Sequence, residues 1–235
     1  MELSRRSMLA VGVAASLAGC LGDDEEPTEE ELDGDESADG EPTDQDDDEA
    51  NEQETDGDGE TSLAVPVSGN PDASVTMEVY EDFSCPFCGD FKHGIFPQIE
   101  TEFLDPGDVR YEHRDFPLPV NEWSRPVANA ARAVQEEAGD EAFFEFTNEI
   151  YNHLGGYSYD VIESVADDLG YDGDATRGAA ENESFDAVIT ADRERGESLG
   201  VGRTPTVVVD ESIVEFDEDT PVIESIRTAV EAAMD

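Results

Sequence analysis

Phe83-Ser84-Cys85-Pro86-Phe87-Cys88-Gly89 follows the apolar run Val75-Thr76-Met77-Glu78-Val79-Tyr80 after the two acids Glu81 and Asp82. The run reads as a buried strand, and the segment that Pro86 opens reads as a helix. Two cysteines separated by Pro-Phe at such a junction form a dithiol that can close into a small ring. A helix N-terminus offers unpaired backbone N–H groups and the positive end of its dipole, which favour a thiolate on the first sulfur. Pro86 suits the first helical position, where a missing N–H costs nothing. Cys85 is therefore expected as the exposed nucleophile of low pKa, and Cys88 as the buried resolving thiol. Half of a zinc site and an inert buried pair are the competing readings. Neither a second Cys-x-x-Cys nor a spare cysteine supports them, since Cys20 has another use. His93, His113 and His153 fall on separate expected elements. A redox dithiol is the stronger reading, with no metal and no organic cofactor.

The 235-residue chain carries a formal net charge of −50, with 62 acidic residues against 12 basic ones. Lys92 is its one lysine, beside 11 arginines. Such a charge keeps a protein soluble but repels itself, a balance that concentrated salt relieves by screening. The composition points to a halophilic source. It also argues against nucleic acid or an anionic surface as partners bound through charge.

The N-terminus reads as a targeting segment rather than as fold. Ser4-Arg5-Arg6-Ser7-Met8-Leu9 pairs two arginines with an apolar run to Gly19 that is too short to span a bilayer. Residues 1–19 have the layout of a secretory signal of the Tat type. Leu17-Ala18-Gly19-Cys20 resembles a lipobox, in which Cys20 would be lipidated and would hold the protein on the outer face of the cytoplasmic membrane. Lipidation would leave Cys85 and Cys88 as a private pair. Between Asp23 and Glu60 stand 22 acidic residues and no basic ones. Residues 20–61 thus read as a lipidated cysteine plus a disordered acidic spacer. Asp44 to Glu49 lacks the spacing of a calcium loop. The domain proper is expected over 62–235.

Within it, Leu63 to Val67 is expected as an edge strand and Val75 to Tyr80 as a central one. The helix from Pro86 is expected to run to about Phe103 with a kink at Pro97. After the turn Asp105-Pro106-Gly107-Asp108, Val109 to Phe116 reads as a parallel second strand. Tyr111 and His113 fall on one of its faces, and Arg110, Glu112 and Arg114 on the other. A helical block follows at about 121–199, with helices at Asn121–Glu137, Glu141–His153, Tyr159–Leu169 and Phe185–Leu199, their aromatic stripes read as core. Thr206-Val207-Val208-Val209 returns to sheet, Ile213 to Phe216 answers it antiparallel, and Thr220-Pro221 opens a last helix.

The chain from about Val75 to Ala233 resembles the DsbA-like thioredoxin-fold thiol–disulfide oxidoreductases, and most closely their Gram-positive and archaeal membrane-anchored forms. The likeness rests on Asp82-Phe83-Ser84-Cys85-Pro86-Phe87-Cys88, on Tyr111-Glu112-His113-Arg114-Asp115-Phe116-Pro117-Leu118, and on Gly202-Arg203-Thr204-Pro205-Thr206. It implies an α/β thioredoxin-like fold with a helical domain inserted between the βαβ half and the ββα half. It implies a cis Thr204–Pro205 bond facing the dithiol, with Thr204 offering its backbone to a substrate strand. It further implies exchange with the thiols and disulfides of exported proteins, and a membrane partner, unidentified by the sequence, that reoxidises the pair. The same dithiol would serve a reductase or isomerase, and a copper-handling relative would need a histidine near both sulfurs, with His93 the candidate. Two positions depart from the family. Phe87 stands where strong oxidants often carry a histidine, which predicts a higher Cys85 pKa and a milder oxidant. Val79 stands where many relatives bury a carboxylate, so any proton relay is expected to use another group or water.

Overall fold

The computed structural model describes residues 63–119, 121–217 and 219–235; the expected signal, Cys20, the acidic spacer and Ser62 lie outside them. Strand β2 (Val75–Glu81) is the middle of a five-stranded sheet. The order is β1 (Val67–Gly69), β3 (Val109–Asp115), β2, β4 (Thr206–Val209) and β5 (Ser212–Ile213). Strand β3 runs parallel to β2, with Val79 beside His113 and Glu81 beside Asp115, and the other pairings are antiparallel. Helix α1 (Pro86–Gly94) lies on the crossover between the two parallel strands.

Period-two alternation sorts β2 between two layers. Val75, Met77 and Val79 face Phe91 of α1 and Ile226 and Val230 of α8 (Val222–Met234). Tyr80 faces the other way, onto Phe116, Val201 and the neighbouring Val208. Helix α7 (Asp186–Leu199) covers this second face and approaches closely at Gly196, where a Cβ would stand 2.7 Å from the Tyr80 ring.

Several boundaries differ from the sequence reading. The edge strand starts at Val67 rather than at Leu63. The last hairpin pairs at Ser212–Ile213, ahead of the expected Ile213 to Phe216. Asp210 and Glu211 both take positive φ, so a two-residue turn sets Ser212 opposite Val209 and the ladder starts early. The helix after the cysteines is divided at Ile95, next to the expected kink: α1 ends at Gly94, Ile95 keeps right-handed dihedrals, then come α2 (Phe96–Ile99) and a π-helical turn at Glu100–Leu104. A proline ring clashes with the carbonyl four residues back, so Pro97 disturbs the turn before it, and the division falls at Ile95.

The helical block comprises α3 (Ser124–Ala138), α4 (Asp140–Ile150), α5 (Tyr159–Leu169), α6 (Gly173–Asn182) and α7. Helix α6 was not expected. Its sequence holds two glycines and no large apolar residue, and it starts on the Asp172 side chain, which accepts from Ala175 N–H at 2.9 Å. The block has its own core of Val127, Val134, Phe143, Phe146, Ile162 and Ile189, and Phe83 and Cys88 of the dithiol loop are buried in that same core.

Arg132 of α3 joins the block to the sheet. Fully buried, it donates to Asp115 of β3 at 2.7 Å and to Asp192 of α7 at 2.5 Å. Arg114 of β3 adds a second contact to Asp192 at 2.8 Å. Replacing Arg132 by Leu removes the guanidinium that two buried carboxylates share, leaving Asp115 with His113 and Asp192 with Arg114. Arg132→Leu is expected to lower stability by about 3–5 kcal/mol, read as a shift of the denaturant midpoint in concentrated salt.

Candidate active site

Cys85 caps the start of α1 in an extended conformation, with Pro86 at the first helical position. The backbone N–H groups of Cys88 and Gly89 both donate to the Cys85 carbonyl, at 3.1 and 3.3 Å. Both thiols are free; Cys85 is half-buried and Cys88 is fully buried. The antiparallel register of β4 on β2 sets Thr206 opposite Tyr80, so the residues before Thr206 lie alongside the loop that leaves β2. The Thr204 carbonyl is thereby 3.4 Å from the Cys85 sulfur, and the Thr204–Pro205 bond is cis.

The two thiols are pushed in opposite directions. The Cys88 thiol, then the nearby Thr204 hydroxyl and the N–H groups of Cys88 and Phe87, lower the Cys85 pKa to about 5 against the pull of partial burial. Burial raises that of Cys88, helped by its hydrogen bond to Cys85 and by the Glu81 charge. Phe87 adds no side-chain donor, yet the Cys85 pKa still lies well below the ordinary thiol value. The donors come from the helix N-terminus, the partner thiol and the cis-proline loop, and only the backbone of Phe87 contributes. The Phe87 ring points outward and is 71% exposed.

A buried carboxylate stands beside Cys88, two residues after Val79. Glu81 ends β2 on the same face as Val75, Met77 and Val79 and is 2% exposed. That shared parity was the readable signal: an acid at the end of an apolar face. One Glu81 oxygen is 3.1 Å from Nδ1 of His113, and the other has no hydrogen-bond partner among the described residues. Nε2 of His113 lies 3.3 Å from Asp115, which Arg132 holds in turn. Burial works against a charged His113, but its bonds to Asp115 and Glu81 outweigh that and raise its pKa. Lys92, the one lysine, is buried on α1 with its ammonium 4.1 Å from the centre of the Phe96 ring. Burial lowers its pKa to about 8 while Glu81 and Glu100 oppose the shift. Nothing in the pattern around Lys92 sets it apart from an ordinary surface lysine.

His93 is exposed and meets Tyr151 edge-on. Among the described residues, no group of three or more His, Cys, Asp and Glu side chains is arranged to hold a metal ion. The loop before Cys85 is fixed from the helical block. Asp82 accepts from Ser84 N–H, Leu118 N–H and the Ser124 hydroxyl at 2.8, 2.8 and 3.0 Å, and the Tyr157 hydroxyl donates to the Phe83 carbonyl at 2.9 Å.

The folded pKa of Cys85 lies below the ordinary thiol value. The reduced fold thus gains stability that is complete above about pH 8.5 and is lost as pH falls through about 5. The rate at which iodoacetamide alkylates Cys85 in the reduced Cys88→Ala variant separates the donors. Without the Cys88 thiol, the first of them, its midpoint is expected above the wild-type value of about 5 yet below the ordinary thiol range.

A thioredoxin family model matches residues 61–232. Disulfide bond formation protein D of Bacillus subtilis is 26% identical over 169 residues, which cover 68% of this chain and 75% of that protein. The oxidised BdbD structure from Bacillus subtilis superposes with a TM-score of 0.64 at 23% identity, covering 72% of this chain and 92% of that one. The thiol-disulfide exchange protein alpha-DsbA2 from Wolbachia pipientis superposes with a TM-score of 0.60 at 26% identity, covering 74% and 89%. With a cysteine pair at the head of α1, a cis-proline loop beside it and a helical block between the two halves of the sheet, the chain belongs to the thioredoxin family as a DsbA-like thiol–disulfide oxidoreductase.

Proposed function

We propose that this oxidoreductase works as a dithiol oxidant of exported proteins, held by a lipid on Cys20 at the outer face of the cytoplasmic membrane. The observation that carries the oxidising direction is the stabilised Cys85 thiolate beside a Cys88 thiol held protonated. A stabilised reduced form makes the disulfide a stronger oxidant. A substrate thiolate attacks the Cys85 sulfur of the Cys85–Cys88 disulfide. Cys88 leaves and takes up a proton, and a mixed disulfide remains at Cys85. A second substrate thiolate then attacks the substrate sulfur of that bond. Cys85 departs as the thiolate, the substrate gains a disulfide, and two electrons stay on the protein. A membrane partner must accept those electrons for the cycle to repeat.

The paired Arg5 and Arg6, the short apolar run and the lipobox-like Leu17-Ala18-Gly19-Cys20 support export by the Tat route and anchoring. The acidic spacer would lift the domain off the bilayer, and the acidic surface suits a halophilic setting. The missing side-chain donor at Phe87 keeps a reductase or isomerase as the second reading, and the potential separates the two. In graded thiol buffers at high salt, a value on the order of −120 mV is expected; one near −270 mV would assign the pair to reduction. In cells, Cys88→Ser is expected to accumulate mixed disulfides with exported proteins through Cys85. Recovering none while the variant is folded and exported would overturn the proposal.

A further inference from the structure

Two side chains at the rim of Cys85 stand out from the surface around them. Phe87 and the terminal Met234, 52% exposed, are the exposed large apolar side chains among the described residues. Arg203 is the most exposed cation: its side chain is 69% accessible, against 39% or less for every other described arginine. The others each have a carboxylate oxygen within 3.0 Å. Among the described residues Arg203 has only Glu215, at 3.8 Å, and Glu215 is itself 81% exposed. Arg203 also immediately precedes Thr204, whose carbonyl touches the Cys85 sulfur. From Thr61 onward, 39 acidic residues face 10 basic ones, so an exposed, weakly paired arginine on the cis-proline loop is a local exception to the field of the domain.

We propose that Arg203 is a specificity-determining residue that takes a carboxylate next to the reacting cysteine of an acidic client polypeptide, while Phe87 covers an apolar neighbour of that cysteine. The occupant follows from charge complementarity. A domain this acidic repels an acidic chain everywhere except where a cation is weakly paired, so Arg203 offsets the repulsion at the one place where the sulfurs must meet. A guanidinium–carboxylate pair at contact distance is of the order of the ~3 Å screening length of 1 M salt. Direct contact therefore outlasts salt that abolishes longer-range steering. An unfolded client exposes both its carboxylates and its apolar side chains, which fits a site that offers a partner for each.

The inference rests on the thiol–disulfide exchange reading, and its test separates the two. Full-length oxidised protein is mixed with three dithiol peptides identical except for Glu, Gln or Lys beside the cysteines, and with dithiothreitol, in about 2 M KCl to screen longer-range fields. Failure to oxidise any of the four would sink the exchange reading itself. With exchange intact, Arg203→Gln is expected to lower the ratio of the Glu-peptide to the Lys-peptide rate roughly three- to tenfold. Arg203→Lys should keep most of the ratio, and Arg203→Glu should invert it. An unchanged ratio in Arg203→Gln overturns the proposal. An equal loss with all four reductants, dithiothreitol included, also overturns it, because Arg203 would then be acting on the loop rather than on the client.

Discussion

One guanidinium, taken wholly out of water between two carboxylates, ties the helical block to the sheet. Arg132 answers Asp115 on β3 and Asp192 on α7 together and, with His113 and Arg114, offsets the cost of burying both charges. The consequences run inward. Asp115 also holds one nitrogen of His113, and the other nitrogen holds Glu81 beside the resolving cysteine. A contact that looks structural thus fixes the charge seen by Cys88. The helical block does more than cover the dithiol, because it supplies both the core that buries Cys88 and the cation that anchors this chain of charges.

The asymmetry between the two sulfurs follows from where the chain places them. Cys85 stands at an open helix end, where N–H groups, the neighbouring thiol and the cis-proline loop all favour negative charge. Cys88, one turn on, enters an apolar core beside an acid, where charge is penalised. The residues between the cysteines are left free for other duties. Phe87 takes no part in stabilising the thiolate through its side chain, and its ring is available to whatever approaches from solvent.

Much of this was legible in the sequence. The apolar run before the cysteines, Pro86 at the helix start, the β-branched Thr206 to Val209 and the periodic stripes from Val127 to Ile189 are local patterns, and each gave its element to within a few residues. The failures have local causes as well. Helix α6 packs small residues into a tight space and so carries no apolar stripe. The early start of β5 depends on positive φ at Asp210 and Glu211, residue types that announce a turn without fixing its length. The groups that hold down the Cys85 pKa, the partner thiol and backbone N–H groups among them, leave no side-chain signature between the cysteines. The chain from Glu81 to Asp192 joins residues more than a hundred positions apart, and only the packed structure brings them together.

Lys92 has one further consequence. It is the sole lysine of 235 residues, and it lies under α1 against an aromatic ring rather than on the surface. A protease that cuts only after lysine therefore meets a single bond, closed while the helix behind the cysteines is in place. Cleavage then counts openings of that one helix, giving the active site a built-in reporter of local unfolding that no other lysine in the chain can confuse.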